Sequence, residues 1–209
     1  MSENSYFPGS REYWEARYAG HGSSGAGSYG KLAGFKAGIV NKFVRDNNIR
    51  SVIEFGCGDG NQLLLASYPE YIGLEVSNIA LNKCKKHFEN DTAKRFFFYD
   101  PEHFDRMLFT LRAELALSLD VIFHLIEDHL FELYMSHLFG VADRFVIIYS
   151  SDTDINPPGT AVHFKNRKFS DWITARLPEW KLLQKIPNRY PYDPATGEGS
   201  VADFYIYGK

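Results

Sequence analysis

A chain of 209 residues with 44% hydrophobic content can build one domain around a real core. Its net charge of −3 argues against broad nucleic-acid binding by phosphate neutralisation, and no apolar run reaches the ~18 residues of a membrane span. The opening stretch through Trp14 lacks the basic-then-apolar pattern of a secretory leader. Cys57 and Cys84 make neither a disulfide framework nor a metal spacing, so a reducing cytoplasm is the expected location and no metal is expected.

In chain order, the first feature is Tyr13-Trp14 and Arg17-Tyr18, followed by a glycine- and serine-rich stretch from Gly20 to Gly30. Such a stretch is mobile unless something orders it. We expect residues 1–35 to form a lid in which Tyr13, Trp14 and Tyr29 supply ring faces. Gly25 to Lys31 matches most of a phosphate-binding loop, but position 32 is Leu, which has no hydroxyl for magnesium, and no buried strand precedes it.

Next comes Ser51-Val-Ile-Glu-Phe-Gly-Cys-Gly-Asp-Gly60, then a short helix, then Tyr71-Ile-Gly-Leu-Glu75. Two apolar runs, each ending in an acid and joined through a glycine turn, read as a βαβ unit. Ligands collect over the carboxyl ends of such strands. Glycines at 56, 58 and 60 permit positive φ and close approach of a ligand to the main chain. Glu75 is placed to accept hydrogen bonds from both ribose hydroxyls of a nucleoside-type ligand.

Ser77 is a good N-cap for a helix from Asn78 to Phe88. A third strand spans Arg95–Tyr99 and ends at Asp100. A helical stretch from Phe104 to Arg112 leads to a fourth strand, Glu114–Leu119, ending at Asp120. Helical spacing covers Glu127 to Phe139, and Arg144–Tyr149 is a fifth strand. Residues 150–168 form a long loop of the kind that carries binding or catalysis. A helix over Phe169–Leu177 and strands over Trp180–Ile186 and Phe204–Tyr207 close the chain. The alternation predicts a mostly parallel sheet covered on both faces, in a single domain over 1–209. His87, His129 and His137 lie on helical faces and are expected to be surface or packing residues.

A dinucleotide fingerprint needs Gly-x-Gly-x-x-Gly facing a pyrophosphate. Here the third glycine comes one residue early, at position 60, and Glu54 would repel a pyrophosphate while suiting an ammonium group. An NAD-type oxidoreductase is therefore disfavoured. The acid-x-Gly-x-Gly-x-Gly loop from Glu54 to Gly60, with Glu75 following, resembles the class I S-adenosylmethionine (SAM) methyltransferases.

That resemblance, clearest over residues 50–150, implies a Rossmann-like three-layer α/β sandwich. Its seven-stranded sheet is mostly parallel, with the last strand antiparallel. It implies SAM as cofactor and S-adenosylhomocysteine as product. Glu54 would then bind the SAM amino group, and Gly56, Cys57, Gly58 and Gly60 would form the loop around the methionine part. Glu75 would bind the ribose hydroxyls, Val76 would flank the adenine, and Asp100 would meet the adenine amino group with Tyr99 or Pro101 beside the ring. Asp120 would lie beside the reacting methyl. Leu119 to Leu125 resembles the family's Asp-Val-Leu-Glu-His-Leu stretch, with Phe123 where that stretch has Glu and with His124 retained.

Outside that span the acceptor is chosen. His124, Asp120 and His163 are candidate bases. Tyr13, Tyr29, Lys165, Arg167 and Arg189 are candidate acceptor-binding residues, and the arginines suit a phosphorylated or carboxylated small molecule. Such an enzyme would methylate an O or N of a small polar, anionic or sugar-type acceptor, for example in surface polysaccharide biosynthesis. No nucleic acid or membrane partner is expected. The alternatives are a SAM-binding partner subunit without catalysis and a methyltransferase of protein or nucleic acid. Asn156-Pro157-Pro158 is followed by Gly159 and lies after the fifth strand, so it is not a base-methylation signature.

Overall fold

The computed structural model describes residues 7–108 and 110–209. The strands are β1 (Ser51–Phe55), β2 (Glu70–Glu75), β3 (Lys94–Phe98), β4 (Ala113–Leu119), β5 (Ala142–Ser150), β6 (Lys181–Ile186) and β7 (Asp203–Gly208). They form one seven-stranded sheet in the order β3-β2-β1-β4-β5-β7-β6. β1 to β5 pair in parallel, and β7 runs antiparallel to both β5 and β6. The expected seven strands and the antiparallel last strand are all present.

The helices are α1 (Ser10–Ala19), α2 (Gly30–Asp46), α3 (Asn78–His87), α4 (Asp128–Gly140) and α5 (Phe169–Arg176). Val40 and Val44 of α2 and Leu81 and Cys84 of α3 pack with Val52, Leu115 and Ile147 on one face of the sheet. Phe131 and Leu138 of α4, with Phe169 and Ile173 of α5, pack with Ile53, Leu74 and Ile148 on the other. Strands β1, β4 and β5 are covered on both sides and so read as near-continuous apolar runs. The Ser77 hydroxyl accepts from Ala80 N–H, capping α3 as its sequence suggests.

Four local expectations change. The segment between β1 and β2 holds only a 3-10 turn, Gln62–Leu65, in place of the short helix. The stretch from Phe104 likewise holds a 3-10 turn, Phe104–Met107, and Phe109 lies outside the described residues. Helix α2 has no counterpart among the sequence expectations. Glycines at 30, 34 and 38 lower its intrinsic propensity, and it holds because Leu32, Ala33, Ala37, Val40 and Val44 are buried at helical spacing. A lid boundary at residue 35 therefore cuts through α2, and residues 1–6 of that lid lie outside the described residues. No helix among the described residues is long and apolar enough to cross a membrane.

Candidate active site

The carboxyl ends of β1, β2 and β4 open into a cavity of about 260 Å³, roofed by α1 and the segment that follows it. Of the residues singled out in the sequence, it brings together Glu54, Gly56, Cys57, Gly58, Glu75, Val76, Tyr99, Asp100, Asp120 and His124. Trp14, Tyr18, Ser24 and Ser28 contribute from the N-terminal segment, and Lys36 and Gln62 complete one side.

The acids at the strand ends are buried. Glu54 accepts from the Tyr71 hydroxyl at 2.6 Å. Burial pushes its carboxyl up to about 7, against that bond and the nearby charge of Lys36. Glu75 accepts from the N–H groups of Gly58 and Ser77, both at 2.9 Å. Burial pushes it up to about 7 as well, against those donors. The backbone donors hold the glycine loop to β2 and fix the direction in which the carboxylate faces.

Gly58, at φ +60°, matters for the roof, because a Cβ there would run into the Ser24 side chain. The roof is tied at several points. Asp59 accepts from Ser24 N–H and the Tyr29 hydroxyl, and Asn61 donates to the Ser28 carbonyl. Glu127 accepts from both Ser10 N–H and the Ser10 hydroxyl, and Glu15 accepts from the Ser77 hydroxyl. The glycine- and serine-rich stretch expected to be mobile is thus docked on the glycine loop and the residue that follows it.

Asp120 follows β4 in a left-handed backbone conformation, φ +61°, which Asp tolerates better than most residues. Its carboxylate pairs with Lys36 Nζ at 2.5 Å, and Lys36 is only 1% exposed. His124 lies in the 3-10 turn Ile122–His124, edge-on to Trp14. Its Nδ1 is 2.7 Å from the His163 carbonyl oxygen. A carbonyl only accepts, so Nδ1 carries the hydrogen and Nε2 keeps its lone pair. Burial drives this imidazole down to about 4, so it is neutral at physiological pH.

Several sequence-predicted residues do not line the cavity. Gly60 backs onto Cys84 of α3 and Phe88 just after it. Tyr99 does line the cavity, but its hydroxyl goes to His137 Nδ1 at 2.9 Å, so His137 is a buried link in the core. His163 stacks on Tyr13 with ring centroids 4.6 Å apart, and neither ring lines the cavity. Tyr29 is a latch on Asp59.

The basic cluster is spent on the chain itself. Arg167, 8% exposed, donates to the carbonyls of Leu125 and Ile126, pairs with Asp128 and lies over the Phe131 ring. Lys165 pairs with the same Asp128. Arg189 lies near the Tyr190 ring. No residue of the 150–168 loop lines the cavity.

Sequence reading missed Lys36 and Gln62. The available signal was a lysine inside the apolar stripe of a helix, spaced with Leu32, Ala33, Ala37 and Val40.

The residues fit SAM. A buried carboxylate at Glu54 suits an ammonium, and one at Glu75 suits a pair of ribose hydroxyls. A pyrophosphate has no counterpart here, because the glycine loop runs into a 3-10 turn with no α-helix N-terminus to receive it. Among the described residues, no cluster of His, Cys, Asp and Glu is arranged to hold a metal ion.

The sequence matches no protein-family model and no curated protein. Solved structures do share the architecture. The methyltransferase domain of a bacterial protein, CtHen1-C, is 18% identical with a TM-score of 0.66, over 85% of this chain and 98% of that one. Magnesium protoporphyrin IX methyltransferase from Synechocystis PCC 6803, with bound SAM, is 14% identical with a TM-score of 0.65, over 99% and 100% of the two chains. A SAM-dependent methyltransferase from Anabaena variabilis is 16% identical with a TM-score of 0.68, over 95% and 92%. The chain has the fold of the class I SAM-dependent methyltransferases.

Proposed function

We propose that the protein is a SAM-dependent methyltransferase acting on a hydroxyl or amino group of a small polar acceptor. One observation carries this reading. Glu54 and Glu75, at the ends of adjacent parallel strands, are buried and line one roofed cavity formed by the glycine loop between them.

The acceptor need not be an anion. The cavity is lined by Glu12, Glu54, Glu75, Asp100, Glu102, Asp120 and Glu127 against only Arg11 and Lys36. The arginine and lysine of the basic cluster are already bound to Asp128. An acid-lined mouth repels phosphates, which weighs against a nucleic-acid acceptor despite the likeness to a domain from a protein named for Hen1.

The cofactor supplies a sulfonium methyl, an electrophile that needs no activation. The chain has to hold the acceptor in line and exclude water, and positioning of this kind can lower a barrier by ~7–11 kcal/mol. Trp14, Tyr18 and the tied N-terminal segment exclude water. His124 offers Nε2 to the acceptor proton, and its low basicity suits a hydrogen-bonded hydroxyl that loses its proton only as the methyl is transferred.

The test is incubation with SAM and a panel of small alcohols, phenols and amines while S-adenosylhomocysteine is quantified. Turnover above the acceptor-free rate with at least one class supports the reading. SAM binding without turnover on any class would favour a partner subunit without catalysis.

A further inference from the structure

Lys36 is hard to explain as a stabilising residue. It stands in the apolar stripe of α2, where a methionine of similar length would pack without removing a charge from water. Its carboxylate partner is Asp120, and its Nζ lies 5.5 Å from the centre of the Tyr149 ring. Near it stands a second anomaly. Gln62 Nε2 donates to the Ala33 carbonyl of α2 at 3.1 Å, while Gln62 Oε1 is buried with no hydrogen-bond partner among the described residues. An unpaired buried acceptor of this kind calls for an explanation.

Both side chains line the cavity beside Glu54. The set is a buried cation, a neutral acceptor without a donor, and a carboxylate. That is the complement of an α-amino-carboxylate, whose ammonium needs acceptors and whose carboxylate needs a cation.

We infer that Lys36 and Gln62 form, with Glu54, the receptor for the amino-acid end of the cofactor: Lys36 takes the carboxylate, and Gln62 Oε1 shares the ammonium with Glu54. This assignment rests on the proposed methyltransferase reading. It adds that Lys36 of α2 and Gln62 of the 62–65 turn, both outside the glycine loop, select the complete amino-acid end. Lys36 then exchanges Asp120 for the ligand's carboxylate, so cofactor loading and the release of Asp120 are one event.

Calorimetric titration with three ligands tests it: SAM, decarboxylated SAM (ammonium without carboxylate) and 5′-methylthioadenosine (neither). Lys36→Met should weaken SAM by about 10- to 100-fold, the loss expected for a charged hydrogen bond, and leave the other two within about twofold. Gln62→Leu should weaken SAM and decarboxylated SAM and spare 5′-methylthioadenosine. Should Lys36→Met fail to fold, the double variant Lys36→Met with Asp120→Asn removes both charges of the pair and carries the same comparison. Equal losses for all three ligands, or unchanged SAM affinity in Lys36→Met, would overturn the assignment. Wild-type protein that binds none of the three would overturn the methyltransferase reading and the assignment together.

Discussion

Arg167 shows how a residue type can point to the wrong chemistry. In the sequence it belongs to a basic cluster after a long loop. In the fold its guanidinium ties the 125–126 turn to Asp128 and the Phe131 ring. Arg167→Ala should therefore cost about 1–3 kcal/mol of stability by leaving those half-buried carbonyls short of donors, while the acceptor Michaelis constant in the folded fraction stays unchanged. Denaturant unfolding beside steady-state kinetics reads both, and a raised Michaelis constant at full stability would restore the anion-binding role.

Glu75 gives the opposite case. Glu75→Ala should weaken SAM binding by roughly 1.5–3 kcal/mol if it holds both ribose hydroxyls. Unchanged affinity in that variant would mean the ribose is held elsewhere.

His124 links residue chemistry to pH. Its value in the folded state, about 4, lies below the ordinary 6.5. Both states are therefore neutral above pH 6.5, and stability is lost as pH falls from 6.5 toward 4, where the unfolded chain takes up the proton first. The ring is partly exposed at the cavity, so the effect is discounted to on the order of 1 kcal/mol between pH 7 and pH 5. His124→Asn should lack that component of the pH dependence, and identical slopes in the two proteins would show that the ring is not desolvated.

At the scale of elements, the N-terminal segment is the part whose role depends most on contacts distant in sequence. Its docking runs through Asp59, Glu127 and Ser77, which are separated from their partners by 30 or more residues. Nothing in a local stretch announces such pairs, so Gly20 to Gly30 reads as a mobile leader until the fold supplies them. Asp59→Ala removes the acceptor for Ser24 and Tyr29. It should speed proteolytic cleavage between residues 20 and 30 and raise the SAM dissociation rate severalfold. Cleavage and dissociation rates like those of wild type would mean that the roof is held by other contacts.

Helix α2 was illegible for a related reason. Glycines at 30, 34 and 38 hide a stripe that becomes evident only once Lys36 is counted as an inward-facing position. The segment over 62–65 reads as a helix in the sequence because a helix ordinarily joins two parallel strands.

Across the whole molecule, the sheet was the most legible part. Apolar runs ending in Glu54, Glu75 and Asp120 place the cavity at the strand ends, because a buried parallel strand tolerates a charge only where it leaves the sheet. The same logic does not reach the acceptor. On the proposed reading its walls come from α1, the 121–127 turn and the N-terminal segment, which carry no periodic signal tied to chemistry. The loop after β5, whose position suggested substrate binding, packs instead against the 123–128 turn through Lys165 N–H to the Phe123 carbonyl and through Arg167.

The proposed function stands on SAM binding in the cavity lined by buried acids at the ends of β1 and β2. Isothermal titration of the purified protein with SAM, S-adenosylhomocysteine and NAD in parallel tests it most directly. Micromolar binding of the first two and none of NAD is the expected result. Binding of NAD, or no binding of SAM and S-adenosylhomocysteine, would contradict it.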